Sequence, residues 1–247
     1  MTLFDHLDEL RKRLFIAIGA WLVAASVAFS FRFALLDWLK APLPDGMTLH
    51  TFHLMEPLTV SISIAAFFGI VLAAPIVGGQ LWGFVAPGLY PTERKWAIPF
   101  ILLTALAFGA GVLFARYIAL PLTIPIITGF LGDEAIMLLS TASYISTLLL
   151  FMGVFGLVFE TPVLAFLLAK LGLIEADILV RYRRHAIVIL VALAAAITPT
   201  IDPVSLAIVA APLLLLYEVS IWVIRLVRRR DARVAGPAVE PPPAEPG

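Results

Sequence analysis

Four carboxylates, each set among arginines, aromatic rings or prolines, are the groups in this sequence best placed to do chemistry. Glu160 stands in Phe155-Gly156-Leu157-Val158-Phe159-Glu160-Thr161-Pro162, inside the otherwise apolar stretch Tyr144–Lys170. A charge at bilayer depth costs several kcal/mol or more on most scales, so one retained there points to function. Pro162 frees a backbone carbonyl and kinks the helix beside it. The competing reading is a structural hydrogen bond to another span, for example to Gln80. Glu9 lies in His6-Leu7-Asp8-Glu9-Leu10-Arg11-Lys12-Arg13-Leu14. Arg11–Arg13 alone suits a solvated, membrane-flanking basic stop, but Glu9 offers a carboxylate at a water boundary that favours cations. Glu93 closes Leu81-Trp82-Gly83-Phe84-Val85-Ala86-Pro87-Gly88-Leu89-Tyr90-Pro91-Thr92-Glu93-Arg94-Lys95. There Pro87-Gly88 and Pro91 set a compact turn, and Trp82, Phe84 and Tyr90 anchor it at an interface. From physics alone this is an ordinary re-entry loop, with Glu93 pairing Arg94 or Lys95. Asp202, between Pro199 and Pro203, reads as a cap for the helix that follows, and Glu218 as a carboxylate snorkelling toward Arg225.

Other chemistries are excluded. The chain has no Cys, so it has no disulfide, thiolate metal site or cysteine nucleophile. No phosphate-binding loop is present, and His50, His53 and His185 lack metal-ligand spacing. No nucleophile–base set can be assembled inside the apolar segments. An enzyme, a bound cofactor or metal, and a nucleic-acid partner are therefore not expected.

The elements that must position these carboxylates are membrane helices. Mean hydropathy is +1.03, and AVILMFWYC residues make up 62% of the 247 residues. A soluble domain holds roughly 45–50% apolar residues by a broader count, so this is an all-α integral membrane protein. Six apolar segments stand out: Leu14–Phe31, Leu58–Val85, Trp96–Ala119, Tyr144–Ala169, Ala186–Ile197 and Val204–Ile224. Thr198-Pro199 stops the fifth, because the residue before a proline leaves the helical region. Segments five and six, the last two and both expected to be short, form a tight hairpin over Thr198–Pro203. Such a hairpin must thin the bilayer or bind another helix. Thr2-Leu3-Phe4-Asp5 reads as a capping box, and Leu3, Leu7, Leu10 and Leu14 share one face, which predicts an amphipathic helix running into span one.

Fourteen of the seventeen Lys and Arg residues lie on one side of this topology; Arg32, Lys40 and Arg116 lie on the other. The positive-inside rule then places both termini in the cytoplasm. The outer loops Arg32–Pro57 and Leu120–Ser143 carry Pro42, Pro44, Pro121 and Pro125, with Leu35, Leu36, Trp38 and Leu39, and are expected to form ordered caps on the membrane. A six-helix domain over residues 1–230 is followed by a disordered tail over 231–247, Pro-rich from Ala235. The pairs Ala65/Gly69 and Gly79/Gly83 are close-packing signals. No internal repeat is evident, which weighs against an inverted-repeat transporter.

With these stretches in order on six spans, the sequence resembles TatC, the multispanning receptor subunit of the twin-arginine protein translocase. The likeness runs from about Thr2 to Arg230. It rests on HLxELRxRL at the start, FVAPGLYxxER after span two, FGxxFExP in span four, RYRRH before span five, and PTxDPxS with APxxxLYExS at the end. The resemblance implies a non-enzymatic receptor for signal peptides bearing consecutive arginines on folded cargo, driven by the proton-motive force. It implies that Glu9 and Glu93 face the two guanidiniums, which bind carboxylates by a paired fork that Lys cannot copy. It also implies that Leu7 and Phe84 belong to the binding surface, that Arg11 and Pro42 are needed for activity, and that Glu160 is the polar residue inside a concave face. The partners implied are the single-span subunits TatA and, where present, TatB, docking along the last two spans with Thr198 at the join, besides further copies of the chain. Two other readings are a proton-coupled small-solute transporter with Glu160 as carrier, and an anchoring subunit of a nucleotide-driven permease.

Overall fold

The apolar runs, interrupted by prolines and short polar turns, fold into long antiparallel helices. A computed structural model describes residues 3–44, 46–85, 97–129, 138–197 and 202–234. α1 (Leu3–Ser30) fuses the expected amphipathic start and the first span into one helix of 28 residues, because neither proline nor a polar turn separates them. Thr2, the expected cap, lies outside the described residues. α2 (Arg32–Lys40) turns back across the end of the bundle, and α3 (Glu56–Val85) returns with Pro75 inside it.

α4 (Ala97–Phe114) continues through a π-helical turn, Ala115–Ala119, into α5 (Leu120–Thr128), so the third span outruns its expected end at Ala119. Pro121 lacks an N–H and its ring collides with the preceding turn of a regular helix. The wider π turn immediately before it carries the chain past that obstacle. α6 (Thr141–Phe159) and α7 (Thr161–Lys170) form one span broken at Glu160. α8 (Ala176–Arg181) leads into α9 (Arg183–Ile197) and α10 (Pro203–Val234).

Five helices or helix pairs are long and apolar enough to cross a membrane, among the described residues. The fifth expected segment falls in α9, whose 15 residues give only about 22 Å of helix. The expectation of two short final helices holds for α9 and fails for α10. That helix has 32 residues, of which Pro203–Val227 can span. Pro212 forfeits one hydrogen bond without ending α10, and the strong helix formers Leu and Arg extend it. α10 also passes the expected domain boundary at 230; residues 235–247 lie outside the described residues.

α3 is the hub, packed by α1 on one side and by α4 and α6 on the other. Small residues permit the closest crossings. A Cβ on Gly69 would come within 2.8 Å of the Ala25 Cα, and Trp21 Nε1 donates to the Ala66 carbonyl at 2.9 Å nearby. A Cβ on Gly111 of α4 would overlap the Phe155 carbonyl of α6. Leu39, Ile64, Leu120, Ile145, Phe151 and Phe155 are fully buried in the main core. Val23, Leu106, Leu157 and Trp222 remain exposed on the outer faces, as side chains that meet lipid tails must.

At the end opposite the start of α1, the described parts of the two outer segments meet as a cap. β1 (Leu49–His50) pairs in parallel with β2 (Leu139–Ser140). The buried Glu56 carboxylate joins them. One oxygen accepts from the backbone N–H groups of Phe52 (2.8 Å) and His53 (3.2 Å). The other accepts from the Ser140 hydroxyl (2.9 Å) and the Ala142 N–H (2.7 Å). At the same end, Arg116 donates to the Trp38 carbonyl from Nε (3.1 Å) and Nη2 (2.6 Å). Its guanidinium also lies over the Trp38 and Tyr117 rings, at 4.9 and 5.3 Å from their centroids.

Candidate binding site at the basic end

The first turns of α1 lie against the last turns of α3. Neither strand of this contact is accidental in sequence: α1 offers His6, Glu9 and Arg13 at helical spacing, and α3 offers Gly83 and Phe84. The His6 and Phe84 rings stack with centroids 4.3 Å apart. Trp82, two residues back, is buried against Phe100 with ring centroids 5.0 Å apart, which fixes the end of α3 on α4.

Glu9 is the polar centre of this contact. Its Oε1 accepts from Arg13 Nε at 3.0 Å and from Nη2 at 2.6 Å. Its Oε2 is buried and has no hydrogen-bond partner among the described residues. A carboxylate has about four acceptor positions, so half of this one is idle in a place shielded from water. The Arg13 guanidinium lies in the space left by Gly83, where a Cβ would collide with Nη1. Leu7 and Arg11 are exposed on the same helix, and Arg11 lies 5.7 Å from the Phe15 ring centroid. The arrangement can hold a cation at a half-free carboxylate, on an end of the bundle that also carries the His6 and Phe84 rings. Glu93, expected to share this role, lies outside the described residues.

Glu160 is elsewhere, at the break between α6 and α7. Its backbone sits at φ −71° and ψ −16°, and the Thr161 hydroxyl donates to the Val158 carbonyl at 2.6 Å. Glu160 Oε1 is buried without a hydrogen-bond partner among the described residues, so it does not bond Gln80. Thr104 Oγ1 on α4 is buried in the same condition. Both groups are polar and inside the span, and both have unused bonding capacity.

The α9–α10 turn carries Asp202, whose Oδ1 accepts from the N–H groups of Val204 (3.1 Å) and Ser205 (2.8 Å). It caps α10, as its position before Pro203 predicts. Thr198 lies outside the described residues. At the other end of this hairpin the expectation for Glu218 is corrected. It pairs with Arg183 Nη2 at 2.8 Å rather than with Arg225. Arg225 is two turns along the helix, about 10 Å away, whereas α9 begins directly beside Glu218. The adjacent Tyr217 hydroxyl donates to the Leu179 carbonyl at 2.7 Å. Val188 and Ile189 of α9 and Leu215 and Trp222 of α10 leave apolar side chains exposed along this edge.

The structure therefore brings Glu9, Leu7, Arg11 and Phe84 to one end, and leaves Glu160 Oε1 within the span, not joined to Gln80. Pro42 sits in the turn after α2 at the capped end, where Leu43 N–H donates to Lys40. Three anchoring residues escaped the sequence reading as anchors, Glu56, Arg116 and Arg183. The only signal for Glu56 is an acid standing immediately before Pro57 and a long apolar run.

The family model for Sec-independent protein translocase protein (TatC) matches residues 5–212 of the chain. The chain belongs to the TatC family. It is 39% identical over 233 residues to the TatC of Deinococcus radiodurans, covering 92% of this chain and 86% of that one. It is 38% identical to the TatC of Carboxydothermus hydrogenoformans, covering 94% and 96% of the two chains. Its structure is similar to the crystal structure of the twin-arginine translocase receptor TatC, with a TM-score of 0.79 and 38% identity over 91% of this chain and 100% of the other. A second crystal structure of the receptor, in DDM, also gives 0.79, with 37% identity over 88% and 98%. The TatC fold thus accounts for nearly the whole length of the chain, as a multi-pass membrane protein.

Proposed function

We propose that this TatC chain is the signal-peptide receptor and core subunit of a twin-arginine translocase, exporting folded proteins across the cytoplasmic membrane. It acts without a cofactor and without catalysing a reaction, and the proton-motive force drives transport by the assembled machine. Six helices cross the bilayer, α9 being the short one, and both termini face the cytoplasm; the one-sided distribution of Lys and Arg supports this topology. Names of relatives and of the matching crystal structures favour the receptor over a solute transporter or a permease anchor.

The observation that carries the site assignment is the half-occupied Glu9 carboxylate beside Phe84 at the basic end. A leader arginine docks on Glu9, its neighbour on Glu93, and the leader's apolar stretch follows Leu7 and Phe84 toward the concave face holding Glu160 and Gln80. Arg11 adds to the cationic frame, and Pro42 shapes the outer cap. TatA and TatB dock along the exposed apolar edge of α9 and α10 near Thr198 and Asp202, and further copies of the chain complete the complex.

Photo-cross-linking from positions 9 and 93 in native membranes tests this reading. A twin-arginine leader is expected to cross-link at both positions, and TatA or TatB at Thr198. Unchanged leader cross-linking in Glu9→Gln/Glu93→Gln refutes the assignment.

A further inference from the structure

We propose that Arg13 is an internal competitor for the arginine site, holding Glu9 closed and setting the affinity threshold that an incoming leader must exceed. This rests on the reading that Glu9 receives a leader arginine.

An incoming guanidinium makes its strongest contact as a two-pronged fork across both carboxylate oxygens. In this structure Oε1 is already held by Arg13 through two N–H groups, at 3.0 and 2.6 Å. Only Oε2 is left, buried and unbonded among the described residues. A newcomer confined to Oε2 makes half the fork, and completing the fork requires Arg13 to withdraw.

Arg13 is also not a loose surface partner. The two side chains are only 27% and 20% exposed, and the guanidinium occupies the space that Gly83 leaves empty. Any side chain at position 83 would meet Nη1, so the absence of a Cβ on α3 is what lets the Arg13 head settle beside Glu9. Withdrawal is easy in the other direction, since Arg13 and Glu9 are one turn apart on α1 and the arginine stem can swing to water.

The latch imposes a definite arithmetic. It closes before any leader arrives, so its displacement weakens every leader by the same factor, whatever cation that leader presents. Partly exposed pairs of this kind contribute about 0.4–1 kcal/mol, equivalent to roughly 2- to 5-fold in affinity. A weak, lysine-substituted leader is then held below the working range while a twin-arginine leader stays within it. Discrimination between the two still comes from the fork; Arg13 decides where the cut-off falls.

The test measures binding of a fluorescent twin-arginine peptide, and of its lysine-substituted form, to membranes holding the full chain. Arg13→Gln is expected to tighten both peptides by the same 2- to 5-fold. Gly83→Ala provides a charge-neutral arm: the new methyl pushes the guanidinium off its seat, and binding tightens without altering the basic flank. Arg13→Lys, which keeps the charge but not the paired contact, falls between Arg13→Gln and the parent. In a Glu9→Gln background the gain from Arg13→Gln vanishes, because nothing is left to compete for. The proposal is overturned if neither Arg13→Gln nor Gly83→Ala tightens binding, or if the Arg13→Gln gain persists undiminished beside Glu9→Gln, which would mark simple charge repulsion. The underlying receptor reading fails separately, if Glu9→Gln alone leaves both peptides bound as before.

Discussion

Replacing Arg116 with methionine should unlock the outer cap while leaving the basic end intact. Arg116 is 5% exposed and, with the Trp38–Tyr117 contact, joins the turn after α4 to the end of α2. Its two N–H groups share a single acceptor, the Trp38 carbonyl, and so count as one charge-assisted contact of about 1.5–3 kcal/mol. Stacking over Trp38 and Tyr117 contributes about 0.5–1 kcal/mol for each ring. Against this stands the desolvation of a buried cation, several kcal/mol before compensation, which methionine relieves. With the contacts at their upper end, about 5 kcal/mol, and a desolvation of about 3 kcal/mol, the balance is a net loss of about 2 kcal/mol. For a chain of this size each kcal/mol moves the melting temperature by about 2–4 °C, so Arg116→Met should melt about 4–8 °C lower. The chain has five tryptophans and no cysteine, which makes intrinsic fluorescence in detergent the natural assay. Trp38, with its indole N–H 3.2 Å from the Tyr117 hydroxyl, reports on the cap directly. Arg116→Lys, with charge but no fork, should fall between the variant and the parent. A methionine variant that melts within about 1 °C of the parent would show that the guanidinium holds nothing together.

Glu56→Gln should lower the melting temperature and speed amide exchange at Phe52 and Ala142, since an amide places two donors where the carboxylate now meets only donors; unchanged exchange at both positions would remove Glu56 as the clamp between β1 and β2. Gly111→Val should destabilise the fold by roughly 1–3 kcal/mol, because its side chain enters the Phe155 backbone; a folded, fully stable variant would contradict the close α4–α6 crossing. Glu160→Leu should raise thermal stability by removing an unbonded buried oxygen, yet lower transport measured in vesicles. Loss of stability would imply a hidden partner, and unimpaired transport would make Glu160 dispensable. A double-mutant cycle on Arg183 and Glu218, both 44% exposed, should yield a coupling of about 0.2–1 kcal/mol; zero coupling would show that this pair does not hold the start of α9 on α10.

The apolar runs locate the long helices, because a segment that must satisfy its own backbone in lipid announces itself by composition. Short α9 was legible too, through Pro199. Missed were features in which distant segments meet. Nothing in the sequence near Glu56 reveals that loops 84 and 86 residues away will supply two of its donors. Glu218 was assigned a neighbour in sequence and found one across a hairpin. The third span was expected to end at Ala119, with Pro121 in the loop beyond, yet a π turn carries the helix past that proline. At the basic end, motif and spacing pointed to Glu9 and Phe84, but the seating of Arg13 against Gly83 depends on how α1 crosses α3.

α1 also has a mechanical consequence. It is one uninterrupted rod, clasped to its neighbour near Trp21 and Ala25 by an indole bond and a backbone-close crossing. From that fulcrum, about 24 Å of stiff helix extends to Glu9. A tug on that carboxylate therefore does not dissipate locally. Because the same rod is seated on α3 again at His6 and Arg13, the load passes to α3 along the length of the pair.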